Sequence, residues 1–181
     1  MRRLLILLIA ALSSCCLSAA ETPTHCNKNE EIYFNCQVEK TNKIASVCGS
    51  RSDDERKTLN YVQYRFGSIN KIEFVFPKST SRKDQTNKFY ATSGITADHS
   101  LSRSEMSFRN GLWNYRLAYF EEEPDSNNPT QESIIQVWKT GERNKAIVLI
   151  CANSDAGEEL LLDQSLGDLS TPDFRYVGSL W

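Results

Sequence analysis

Asn110-Gly111 sits between two stretches in which large side chains recur at alternate positions, and no other feature restricts the fold as strongly. A two-residue type I′ turn needs positive φ at both central positions, which asparagine and glycine tolerate. With that turn, Phe108 is predicted opposite Trp113, Met106 opposite Tyr115 and Ser104 opposite Leu117, forming an apolar face. The other face pairs Arg109 with Leu112, Ser107 with Asn114 and Glu105 with Arg116. An acid across from a base suits a solvated face.

Three further stretches carry the same period. Ile32, Phe34, Cys36 and Val38 alternate with Tyr33, Asn35, Gln37 and Glu39, and residues 44–48 read as the return strand after Thr41-Asn42-Lys43. A second hairpin spans residues 59–76, with Val62, Tyr64 and Phe66 on one face. Its turn is placed at Gly67-Ser68-Ile69-Asn70; Ile72, Phe74 and Phe76 follow before Pro77 stops the strand. Residues 78–88 form a polar, basic loop, and Phe89-Tyr90-Ala91 a short strand. In the last hairpin Ile135 and Val137 alternate with Ile134, Gln136 and Trp138. The turn is 140–144, and the apolar run 146–151 reads as a central strand. Residues 156–165 are predicted as a short helix capped by Asp155. The tail 167–181 has no readable period, although Phe174, Tyr176 and Trp181 are candidates to dock on the sheet. The expected fold is mainly β: an antiparallel β-sandwich or barrel of hairpins with a short C-terminal helix, forming one domain over residues 21–181.

The N-terminus reads as an export signal. Arg2 and Arg3 precede an apolar run at residues 4–12, too short to span a bilayer, and Ser18 and Ala20 fit cleavage before Glu21. The alternative is a lipobox at Leu12-Ser13-Ser14-Cys15, which would anchor the chain through a lipid on Cys15. The expected location is periplasmic or secreted.

Four cysteines follow the signal: Cys26, Cys36, Cys48 and Cys151. An even count in an exported chain reads as disulfides. Placing Cys36 opposite Cys48 gives the first hairpin its three-residue loop and predicts the pairs Cys36–Cys48 and Cys26–Cys151. No Cys-x-x-Cys is present and His25 has no second histidine at ligand spacing, so no metal site is expected.

The formal net charge is −2, and cleavage after Ala20 would remove two more positive charges, which disfavours general nucleic-acid binding. Only His25 and His99 can serve histidine chemistry. His25 is expected in a mobile terminus, and Asp98-His99-Ser100 reads as a solvated loop, because triad partners converge in space and are seldom sequence neighbours. No catalytic or cofactor motif occurs. The acidic runs Asp53-Asp54-Glu55 and Glu121-Glu122-Glu123 are the only candidates for carboxylate catalysis, and they read as solvated charge. Trp113, Tyr115 and Tyr119 fall on the apolar face and are expected in the core. The expected function is an exported, non-catalytic, macromolecule-binding or inhibitor protein of the bacterial envelope, without cofactor, whose partner is an envelope or extracellular protein. The alternative is an envelope hydrolase using loop carboxylates. Two polar loops are available for binding, basic 78–88 and acidic 121–130.

Phe34-Asn35-Cys36, Ser46-Val47-Cys48, Tyr64-Arg65-Phe66-Gly67, Ile72-Glu73-Phe74-Val75-Phe76-Pro77 and Val148-Leu149-Ile150-Cys151 together resemble a group of small exported bacterial proteins of unknown function. The likeness covers about residues 30–151 and implies export without implying an activity. A looser likeness, to the periplasmic c-type lysozyme inhibitors, rests on export, small size, the β pattern and an early cysteine. Their binding motif has no residue-by-residue counterpart in this chain.

Overall fold

A computed structural model describes residues 22–52, 59–85, 88–124, 127 and 130–154. Among the described residues nine strands make one antiparallel sheet: β1 (Glu31–Val38), β2 (Lys43–Arg51), β3 (Leu59–Ser68), β4 (Lys71–Phe76), β5 (Phe89–Ile95), β6 (Leu101–Asn110), β7 (Trp113–Glu122), β8 (Thr130–Lys139) and β9 (Ile147–Ser154). Their spatial order is β4-β3-β2-β1-β9-β8-β7-β6-β5. The chain therefore lays down two meanders. The first runs outward from β1 to β4, and the second returns from β5 to β9, which pairs with β1. Among the described strands that seam is the one pairing between strands distant in sequence, and it is short: Cys36 opposite Ser154, Gln37 opposite Asn153 and, after an irregularity, Val38 opposite Cys151. The Glu39 N–H adds one bond to the Ile150 carbonyl at 2.9 Å.

The sheet doubles over so that its two ends face each other. Tyr64 and Phe74, from β3 and β4, meet Phe108 and Tyr115, from β6 and β7; Phe76 stacks on Phe108 at 4.7 Å and meets Phe89 of β5 edge-on. Met106, Leu117, Ile135, Val47, Val62 and Phe34 complete this core. Aromatic pairs in offset or edge-on geometry add stabilisation beyond their buried area, about 0.5–1.5 kcal/mol each.

All four expected hairpins are present, with three changes of register. In the second hairpin, Gly67 and Ser68 belong to β3 and Ser68 lies opposite Lys71, so the turn is Ile69-Asn70 and not residues 67–70. Asn110 lies opposite Trp113, so the two-residue turn is Gly111-Leu112 and the pairs are Phe108–Tyr115, Met106–Leu117 and Glu105–Ala118. Gly111 has φ +60°, with glycine at the first central position, as a type II′ turn requires. The slip from the expected register is two residues, which preserves every face. Tyr115 and Tyr119 point to the core side as expected, but Trp113, at the strand end, is exposed.

The first hairpin slips by three residues, an odd number. Cys36 lies opposite Ala45, and Cys48 lies opposite Ile32 beyond a bulge at Tyr33. An odd slip exchanges the faces of the sheet, because side chains alternate with period two. Cys36 therefore points into the core and Cys48 points out, and the expected Cys36–Cys48 and Cys26–Cys151 pairs are replaced by Cys26–Cys48 and Cys36–Cys151. The second bond fastens the β1–β9 seam from inside. The first holds down a strap, residues 22–30, on the outer face of the opening strands.

That strap corrects the expectation of a mobile terminus. It crosses β1, β2 and β3 in turn. Asn35 Nδ2 donates to the Pro23 carbonyl at 3.1 Å, Ser46 Oγ accepts from the His25 N–H at 3.0 Å, and Arg65 Nη1 donates to the His25 carbonyl at 2.9 Å. His25 itself is buried, its Nε2 lying 3.4 Å from the Gly67 carbonyl. The strap ends on Glu30, whose two carboxylate oxygens each accept a 2.6 Å bond from the Arg65 guanidinium. Tyr61 donates to the same carboxylate.

The basic loop after β4 is also tied down. β4 stops opposite Tyr64, so the lower part of β3 lacks a partner strand on that side. Fully buried Gln85 takes its place: its Oε1 accepts from the Val62 N–H at 3.1 Å and its Nε2 donates to the Ser79 carbonyl at 2.7 Å. The predicted helix at 156–165 and the aromatic tail lie outside the described residues.

Candidate functional site

The second meander places opposite charges at its two ends. β6 and β8 run in one direction and β5, β7 and β9 in the other, so the β5–β6 and β7–β8 connections share one end. Glu121, Glu122 and Glu123 close β7 there, and Glu132 lies near the start of β8. Asp98 projects from the neighbouring turn. The two connections are joined: the Glu123 N–H donates to the Ser100 carbonyl at 2.8 Å. Glu122, Glu123, Glu132 and Asp98 are exposed.

The Asp98-His99-Ser100 tripeptide is a structural turn. Asp98 Oδ1 accepts from the Ser100 N–H at 3.1 Å and the Ser100 hydroxyl at 2.7 Å. Hydrogen bonds from Thr96 and Ser100 hold the Asp98 carboxyl down to about 2, so it stays ionised at any working pH. His99 has φ +58°, a left-handed conformation that closes the turn, and its N–H donates to the Thr96 carbonyl. Asp98 thus bonds to the serine of its own turn. The other expected candidates lie elsewhere. His25 belongs to the strap, where it is buried against β2 and β3, and the Asp53-Asp54-Glu55 run lies outside the described residues.

At the opposite end the β6–β7 and β8–β9 turns come together. Thr140 donates to the Leu112 carbonyl from both its N–H (2.8 Å) and its hydroxyl (3.1 Å). Arg109, Lys139, Arg143 and Lys145 are exposed around this junction. Between the ends, the outer face of β6–β8 carries a compact ion cluster. Glu105 is bonded by both Arg103 and Arg116, and Arg116 also donates to Gln136 at 3.1 Å. Burial first, then the positive charges of Arg103 and Arg143, lowers the Arg116 guanidinium to about 10. Arg103 lies over Phe120 and Arg143 over Trp138. Glu105 meets Arg116 as expected, although diagonally and not directly opposite. Sequence reasoning missed the two-turn acidic end, because Asp98 and Glu132 are remote from Glu121 in sequence and only strand pairing joins them.

Among the described residues no group of histidine, cysteine and carboxylate side chains is placed to hold a metal ion. No helix among them is long and apolar enough to cross a membrane. Comparison with protein-family models, curated proteins and solved structures finds no match in any of the three.

Proposed function

We propose that this is an exported, non-catalytic binding protein of the bacterial envelope, released by cleavage after Ala20, that engages a cationic macromolecule through the acidic end of its sheet. The bond from the Glu123 N–H to the Ser100 carbonyl carries the reading, because it joins the two carboxylate-bearing turns into one surface. The doubled sheet acts as a sandwich-type frame, and turns on a rigid frame bind with little ordering cost. Two disulfides suit an oxidising compartment.

A cationic cell-wall hydrolase of the lysozyme type is the partner to test first. Opposed charges speed association and make it salt-sensitive. Surface plasmon resonance against lysozyme, with a turbidity assay for inhibition, is expected to show an association rate that falls with ionic strength. Changing Glu121, Glu122 and Glu123 to glutamine together should slow association about tenfold or more and leave dissociation nearly unchanged. Binding indifferent to these substitutions, or turnover of a glycan substrate abolished by Glu121→Gln alone, would overturn the proposal.

A further inference from the structure

We propose that the other end of the same sheet docks on an anionic lipid surface, with Leu112 and Trp113 entering the headgroup boundary and Arg109, Lys139, Arg143 and Lys145 lying over the phosphates. Leu112 and Trp113 form the tip of the β6–β7 hairpin and are 57 % and 46 % exposed; Ile147, at the start of β9, is 58 % exposed at the same end. An exposed leucine on a two-residue turn, followed by an exposed tryptophan at the start of the next strand, is a cost to a solvated protein. They are not there to complete the core, which closes below them at Tyr115 and Phe108.

The tip is held rigidly. Both Thr140 bonds fix the Leu112 carbonyl to the β8–β9 turn, Asn114 Nδ2 donates to Thr140 Oγ1 at 3.0 Å, and Arg109 Nε donates to the Gly111 carbonyl at 2.8 Å. Its apolar side chains are thus presented in place, and no loop has to be ordered on binding. Charge identifies the occupant. The two turns and their flanking residues, 109–113 and 139–147, carry four cations and one carboxylate, Glu142, which is paired with Lys145 at 3.3 Å. A nucleic acid would answer the cations with its phosphates but has no apolar interior to take up Leu112 and Ile147. An anionic bilayer answers both, since tryptophan settles at the headgroup level, apolar residues enter the acyl boundary, and basic residues attract the charged leaflet.

The test uses the full exported chain with Trp138→Phe and Trp181→Phe, which leaves Trp113 as the only tryptophan of three. Vesicles of phosphatidylcholine alone are compared with vesicles rich in phosphatidylglycerol, both prepared with brominated acyl chains. The expected result is a blue shift and quenching of Trp113 on the anionic vesicles only. This readout is local, so an acyl chain elsewhere on the protein does not mimic it. Lys139→Gln with Lys145→Gln should weaken vesicle binding about 25-fold at low salt, at about fivefold per basic residue near a charged leaflet. Leu112→Ser with Trp113→Ser, in the chain retaining its other tryptophans, should abolish co-sedimentation and leave the circular dichroism spectrum and Tm in place. Absence of quenching, equal quenching on neutral vesicles, or co-sedimentation that survives the double serine variant would each overturn the proposal.

Discussion

Replacing Arg65 with methionine tests whether the strap is held by a buried ion pair. The pair is enclosed, with side-chain exposures of 8 % for Arg65 and 2 % for Glu30. Arg65 also donates to the His25 carbonyl and to Gln63 Oε1 at 2.8 Å, so one guanidinium holds the strap at two points, His25 and Glu30. Methionine fills much of the volume but strands the Glu30 carboxylate, leaving it only the Tyr61 hydroxyl and the Asn27 N–H as donors. Removing one partner of a buried pair costs about 3–5 kcal/mol, because the other charge stays buried and uncompensated. Glu30→Gln should cost less, about 1.5–3 kcal/mol, since the amide oxygen still accepts from the guanidinium. In the Glu30→Gln background Arg65→Met should then cost markedly less than in the wild type. Equilibrium denaturation of the oxidised protein at neutral pH measures all four corners of this cycle. A cost below about 1 kcal/mol for Arg65→Met, or strict additivity of the two changes, would refute the argument.

The same pair sets a pH dependence. Burial alone would raise the Glu30 carboxyl, but hydrogen bonds from Arg65, Tyr61 and the Asn27 N–H outweigh it and hold it below its ordinary 4.5. A carboxyl depressed by folding stabilises the native state above its unfolded value and loses that contribution as pH falls through its folded value. The stability difference between wild type and Glu30→Gln should be constant near neutrality and shrink below about pH 4.5.

Removing the seam bond with Cys36→Ala and Cys151→Ala should cost about 5 kcal/mol, against about 3.5 kcal/mol for Cys26→Ala with Cys48→Ala, because the chain-entropy term grows with the 115- and 22-residue separations. Thermal unfolding of the two double variants ranks them, and the reverse order would contradict the seam's role. Gln85→Ala should cost about 1–3 kcal/mol by leaving the buried Val62 N–H without its acceptor, and limited proteolysis should then cut within residues 77–88. An unchanged cleavage pattern there would mean that the loop is held by something else.

The hairpins were legible because each buries one face, and period two writes that face into the sequence. Register was less so. Asn110-Gly111 marked the right turn, but glycine sits one position earlier in it than a type I′ reading assumes, and the even slip left Met106, Phe108 and Leu117 on the correct side. In the first hairpin the slip was odd, and one wrong parity exchanged the partners of all four cysteines. Arg65, Asn35, Ser46 and Gln63 occupy outward positions that periodicity assigns to solvent. The strap bonds to Asn35, Ser46 and Arg65, and the segment after β4 bonds to Gln63; neither has a period of its own, so nothing in the pattern announces the cover. Gln85 was invisible for a similar reason: its burial follows from β4 being shorter than β3, a property of the pairing and not of the loop.

The two disulfides are interlaced along the chain: the first cysteine joins the third, and the second joins the fourth. As the chain emerges from its N-terminus, an oxidant that links neighbouring thiols in order of appearance makes Cys26–Cys36 and Cys48–Cys151, neither of which is native. Cys36 has to stay reduced, or be freed again, until residue 151 arrives with the last strand of the second meander. Where Cys36 has been captured early, correct maturation calls for thiol–disulfide shuffling as well as oxidation. A host supplying an oxidase without an isomerase should accumulate compact, cross-linked chains whose outer strap is bonded into the core position that β9 needs.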